Sequence, residues 1–184
     1  MNEPETSKGR ANARGQARAV AAFFDVDGTL LTVQSGRLYI SYLRRKGLMG
    51  VGDQLRIMWA YVIYRLGLMT VGRLADLSSR WIKGQTEVEA AEQCKEWYRT
   101  EVRHYFCKEV LDRIEEHRRA GHIVALLTGG TRYLNELIAA DLGIEHMVVT
   151  DLEVVDGRFT GRAVGPVCYG EGKLAKARGF ADEQ

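Results

Sequence analysis

The chain has 184 residues, 46% of them hydrophobic, enough to bury one full core or a core with a small accessory domain. Its 26 Lys and Arg against 24 Asp and Glu leave a net charge of +2, too balanced to make nucleic acid the expected main partner. Three cysteines, Cys94, Cys107 and Cys168, are odd in number and lack metal-ligand spacing, which argues against a disulfide framework and for a reduced, cytoplasmic setting.

Residues 1–18 mix Pro, Gly, Ser, Asn and charge, and predict a mobile tail whose Lys8, Arg10, Arg14 and Arg18 are solvated. No secretory signal is expected, because the apolar run that follows is short and stops at Asp25. That run, Ala21-Ala22-Phe23-Phe24, reads as a strand ending in Asp25-Val26-Asp27-Gly28-Thr29-Leu30. A buried strand carries charge at its tip, since a carboxylate inside the sheet would be desolvated without a partner. Gly28 permits a sharp turn that aims amide N–H groups at an anion. Two acids beside such a turn point to a metal and a phosphate. A calcium loop also begins Asp-x-Asp, but it needs a third oxygen residue before its glycine and helices on both sides.

From Ser35 to about His117 the apolar residues recur at three- and four-residue spacing, which predicts successive helices with hardly a strand signal. The most hydrophobic part, Leu48 to Met69, is interrupted by Asp53, Arg56 and Arg65, so no transmembrane segment is expected. Trp59, Tyr61 and Tyr64 read as core packing ahead of a pocket lining. Val110 to Ala120 is a further helix, stopped by Gly121. His122 to Leu127 is a near-continuous apolar strand of the kind found in a parallel sheet covered on both faces. It leads into a turn at Thr128-Gly129-Gly130-Thr131 and a helix over Tyr133–Leu142, stopped by Gly143. A hydroxyl, two glycines and a helix N-terminus make a phosphate cradle. Beyond it lie a short strand at Met147-Val148-Val149 and a hairpin over Leu152–Val167 turning at Asp156-Gly157. Gly170-Glu171-Gly172-Lys173 then opens a last helix, in which Lys173 stands out by its glycine-rich approach while Lys176 reads as solvated.

The Asp-x-Asp-Gly-Thr-Leu string after an apolar strand, Thr128 at the end of the second strand, and the Gly-Glu-Gly-Lys segment together resemble three ordered signatures of the haloacid dehalogenase superfamily. The hairpin and the lysine are similar to its phosphoserine-phosphatase-like members with a helical cap. The resemblance implies an α/β fold: a three-layer Rossmann-like core with a parallel sheet over 19–34 and 111–184, and an inserted α-helical cap over 35–110. It also implies a phosphatase acting on a small-molecule phosphomonoester through an aspartyl phosphate. Asp25 would be the nucleophile and Asp27 the general acid and base, with Asp25 and Asp27 also holding Mg²⁺. Thr128, Gly129 and Gly130 would bind the phosphoryl oxygens, and Lys173 would offset their charge.

The superfamily's fourth signature, an acidic strand end, should follow the lysine helix, and Leu174 to Gln184 contain no such strand. Asp151 and Asp156 imitate its spacing but precede Lys173 and flank the hairpin. The chain is therefore expected to be a shortened version of a longer protein, with an apolar sheet edge at Phe23-Phe24 that invites self-association. A noncatalytic phosphoryl-binding module is the alternative. Nothing in the residues names the substrate, although the apolar cap faces lean toward one with a nonpolar part.

Overall fold

The computed structural model describes residues 20–165 and 167–183; the tail residues Lys8, Arg10, Arg14 and Arg18 lie outside them. The chain opens with β1 (Ala21–Phe24), followed by four helices, α1 (Ser35–Arg45), α2 (Val51–Arg65), α3 (Val71–Ser79) and α4 (Glu87–Thr100). It continues through α5 (Lys108–Arg119), β2 (Ile123–Thr131), α6 (Arg132–Leu142), β3 (His146–Val155), β4 (Arg158–Val164) and α7 (Glu171–Glu183). The sheet order is β1-β2-β3-β4, with β1, β2 and β3 parallel and β4 antiparallel to β3.

Both faces of the sheet are covered, which is why β2 is apolar at nearly every position rather than at alternate ones. Ala22 lies opposite Val124 and Phe24 opposite Leu126, so these residues share a face. On it, Ile114 of α5 and Leu134 and Ile138 of α6 join Val124 and Leu126 in the main core. The Phe24 ring stands 5.8 Å from His117 of α5. The opposite face belongs to α7, where Phe180 meets Phe23 edge-on at 5.6 Å. Lys176 donates from Nζ to the Val149 carbonyl at 2.7 Å. Read as solvated, Lys176 instead fastens α7 to β3, its stem crossing apolar surface to a main-chain acceptor. Among the described residues β1 has one strand neighbour, β2, which leaves its other edge without a strand, and Phe23 and Phe24 are each partly buried against a ring carried by a helix.

The segment Met147–Val149 and the first hairpin strand are one continuous strand, β3. No Gly or Pro separates them, so β3 passes from a parallel ladder with β2 to an antiparallel one with β4, its register shifting between Leu152 and Val154. The hairpin turn forms where expected: Asp156 (φ 51°) and Gly157 (φ 72°) both take the positive angles that match strand twist in a two-residue turn.

The helical block divides into two parts. α4 starts in a capping box, with Glu89 N–H donating to Thr86 Oγ1 at 3.2 Å and Thr86 N–H to Glu89 Oε2 at 3.4 Å. Tyr42 and Leu43 of α1 and Cys94, Trp97 and Tyr98 of α4 belong to the same buried cluster as the sheet residues. Tyr98 Oη also donates to Asp141 Oδ2 of α6 at 2.6 Å. α2 and α3 lie further out; α2 buries Ala60 alone. Trp59 and Tyr61, expected in the core, are exposed (64% and 53%). Apolar residues run around most of α2, so their spacing cannot say which stripe faces inward. Tertiary packing selects the stripe containing Ala60 and leaves Val51, Leu55, Met58, Trp59, Val62 and Leu66 outside. No described helix is long and apolar enough to cross a membrane.

Candidate active site

The loop after β1 is pinned by its apolar residues. Val26, Leu30 and Leu31 are fully buried, and the loop closes on itself through Leu30 N–H to the Asp25 carbonyl (3.2 Å) and Leu31 N–H to the Val26 carbonyl (2.8 Å). Gly28 turns the chain at φ 72°, where a Cβ would also come within 3.0 Å of Gln34 Nε2. Asp25 and Asp27 are thereby held beside one cavity. Asp25 Oδ1 accepts from Val26 N–H at 2.9 Å and lies 3.0 Å from Lys173 Nζ. Asp27 Oδ1 accepts from the N–H of Ser35, the first residue of α1, at 2.7 Å. The residue before it, Gln34, offers no side-chain cap, so Asp27 satisfies a helix donor that would otherwise lack a partner.

Thr128 is buried, and its Oγ1 accepts from Gly130 N–H at 3.2 Å. The Thr-Gly-Gly-Thr run is not the turn that its glycines suggest. It stays within β2, with an irregularity between Leu127 and Thr131. The glycines serve close approach instead: a Cβ at Gly129 would meet the Cys168 carbonyl at 3.2 Å, and one at Gly130 would meet Asn135 Nδ2 at 2.9 Å. Lys173 sits in the first turn of α7, where a cation opposes the helix dipole. Its pairing with Asp25 offsets that conflict. Gly172 is required for this approach, since any Cβ there would overlap the Val167 carbonyl oxygen.

These elements meet at a cavity of about 520 Å³, lined by Asp25, Asp27, Thr128, Gly129 and Gly130. Lys173 is not in its wall but reaches the site through Asp25. The remaining wall is largely apolar and aromatic, with Tyr39, Trp81, Trp97, Tyr133 and Tyr169. Trp59, Tyr61 and Tyr64 do not line it; Tyr64 stands edge-on to Tyr169 at 6.1 Å. Tyr39 and Trp81 were invisible as site residues because helical spacing assigns them to packing, which they also do (ring centroids 5.9 Å apart). Cys94 lines the cavity too, and burial pushes its thiol up to about 12. Asp151 pairs with Arg132 at 3.8 Å, and Asp156 occupies the hairpin turn, so neither joins Asp25 and Asp27. Among the described residues no three His, Cys, Asp or Glu side chains come together as a metal cage.

A family model for haloacid dehalogenase-like hydrolases matches residues 22–184. Phosphoserine phosphatase SerB1 of Mycobacterium tuberculosis is 30% identical over 167 residues, 88% of this chain and 54% of that protein. A probable phosphatase of the same organism, Rv3661, is 28% identical over 181 residues, 97% of this chain and 61% of its own length. The chain thus spans little more than half the length of these curated relatives. Among solved structures, a Bordetella pertussis protein of unknown function superposes with TM-score 0.78 at 29% identity, covering 89% of this chain and 74% of that one. A phosphoserine phosphatase solved as a phospho-aspartyl intermediate analogue has the same fold (TM-score 0.58, 20% identity, 88% and 73% covered). Because that match runs from β1 through α7, the chain belongs to the haloacid dehalogenase-like hydrolase family.

Proposed function

We propose that this protein hydrolyses phosphomonoesters. The observation that carries the reading is the Asp25 Oδ1 to Lys173 Nζ pair at 3.0 Å, at a strand end beside Asp27 and the buried Thr128 hydroxyl. In the first step an Asp25 carboxylate oxygen bonds to phosphorus, the ester P–O bond breaks, and Asp27 gives its proton to the departing alkoxide. In the second, a water oxygen bonds to phosphorus and gives a proton to Asp27, and the bond to Asp25 breaks to release phosphate. Lys173 and the Thr128 hydroxyl offset the negative charge of the phosphoryl oxygens, with the Gly129 main chain beside them and the Gly130 N–H holding Thr128 Oγ1 in place. The Ser35 N–H holds Asp27 Oδ1, which fixes the carboxyl and leaves Oδ2 as the oxygen free of that bond.

The Asp25 carboxylate and the Asp27 main-chain carbonyl would supply hard oxygen donors, and Mg²⁺ is characteristically held by few carboxylates with water and phosphate oxygens in its other positions, so the two residues fit that ion while the Asp27 carboxyl keeps its proton. When bound, Mg²⁺ neutralises phosphoryl charge. Residues 35–110 form the cap over the core segments 19–34 and 111–184. Because α1 and α4 share the main core, the outer part of the cap that borders the site is α3, through Ala75, Ser78 and Ser79. A phosphoryl-binding module without turnover is the second reading, favoured by the missing third acid among the described residues.

The test is Asp25→Asn assayed with an aryl phosphate and Mg²⁺. An amide is a poor nucleophile, so turnover should vanish while a phosphate mimic such as beryllofluoride loses its covalent-like tight binding. Wild-type rates in the variant overturn the assignment. Absence of turnover in the wild type, with phosphate mimics still bound, selects the second reading.

A further inference from the structure

The geometry points to a substrate whose organic group is uncharged and mainly apolar, rather than a phosphorylated amino acid; this rests on the phosphomonoester reading above. The cavity beyond the phosphoryl site is walled by Tyr39, Trp81, Ile82, Leu134, Leu152 and Val167. Among the described residues its charged wall residues are Asp25 and Asp27, both at the phosphoryl end. No described Lys or Arg lines the wall, although Arg37, Arg80 and Arg162 each neighbour a wall residue in sequence. Lys173 faces Asp25, and Arg132 lies outside the wall among Glu87, Glu136 and Asp151, at 3.3, 3.6 and 3.8 Å.

A phosphoserine bound there would desolvate a carboxylate and an ammonium with no opposite charge at the distal end, and an unpaired ion in an apolar cavity is strongly disfavoured. The polar demand of the far wall is of a different kind. Its remaining polar groups are neutral, the hydroxyls of Ser78 and Ser79 among them, and suit an ether, ester or hydroxyl oxygen of the substrate. About 520 Å³ is the size of a pocket for an organic group well beyond a three-carbon amino acid.

The experiment compares 2-phenylethyl phosphate with O-phospho-L-serine at saturating Mg²⁺, both being esters of primary alcohols. It also compares the non-hydrolysable phosphonate analogue of each in calorimetric binding. Burial of the phenyl group should favour the apolar ester by about 100-fold in kcat/KM, and its phosphonate by a similar factor in Kd. Ser78→Arg places a cation in the cavity wall from the outlying helix α3. It should narrow that preference by about tenfold, the size expected of one charge-assisted contact.

Equal or preferred hydrolysis of phosphoserine overturns the substrate assignment and leaves the phosphatase reading intact. Selective binding of the apolar phosphonate without hydrolysis of either ester supports the pocket assignment and overturns the phosphatase reading. Binding of neither phosphonate, or of both alike, overturns the pocket assignment.

Discussion

Replacing Lys173 by Gln separates a catalytic cation from a structural one. Opposite unit charges 3.0 Å apart attract by about 5.5 kcal/mol at an effective dielectric near 20 and by about 1.4 kcal/mol in water. The Lys173 side chain is 28% exposed and that of Asp25 41%, so screening and side-chain entropy bring the net contribution to folding down to about 0–1 kcal/mol. A lysine in the first turn of α7 also works against the helix dipole by about 0.3–1 kcal/mol, which cancels much of that gain. Lys173→Gln should therefore move Tm by less than about 4 °C in a chain of this length. The active complex is different, because a phosphoryl group adds negative charge beside Asp25 and its organic group excludes water. There the loss of the cation should lower kcat/KM by about 100-fold or more, or about 2.7 kcal/mol of transition-state stabilisation. Thermal unfolding followed by circular dichroism and steady-state hydrolysis of an aryl phosphate with Mg²⁺ read the two quantities on one preparation. A fall in Tm above about 8 °C with hydrolysis unchanged would refute the reasoning, making Lys173 a staple between α7 and the β1 loop.

Asp27 carries two roles that two substitutions divide. Asp27→Asn keeps an oxygen for the Ser35 N–H and should leave Tm nearly unchanged while slowing esters with poor leaving groups most; Asp27→Ala should further destabilise by about 1 kcal/mol through the lost helix cap. Equal unfolding temperatures for the two variants would remove the capping role. Gly172→Ala forces a Cβ onto the Val167 carbonyl, and the required backbone shift should cost about 1–3 kcal/mol and displace Lys173, read as a lower denaturation midpoint together with lost activity. Burial holds the Cys94 thiol near 12, so in the native state iodoacetamide should modify the partly exposed Cys107 and spare Cys94. Mass spectrometry showing Cys94 alkylated first would contradict its burial in the cavity wall.

Local sequence was enough for the helical block between β1 and β2, the two-residue turn at Asp156-Gly157, and the candidacy of Asp25, Asp27, Thr128 and Lys173, but not for the continuity of β3. Each depends on local chemistry: an apolar run that ends in charge, turn residues that accept positive φ, glycines leading to a lone lysine. Tertiary structure decided what depends on packing between distant segments. Spacing could not choose which apolar stripe of α2 faces inward, so Trp59 and Tyr61 were placed in a core that excludes them. Composition could not distinguish a glycine that turns the chain from one that admits a neighbour, so Gly129 and Gly130 read as a turn although they lie in β2. Lys176 found a carbonyl 27 residues away, and Asp27 an amide 8 residues on. Tyr39 and Trp81 became cavity walls only when α1 and the turn after α3 came together over the sheet. Local sequence fixes the chemistry a residue can perform, whereas the partners and surroundings that direct it come from chain segments remote in sequence, whose approach is set by burial of the shared core.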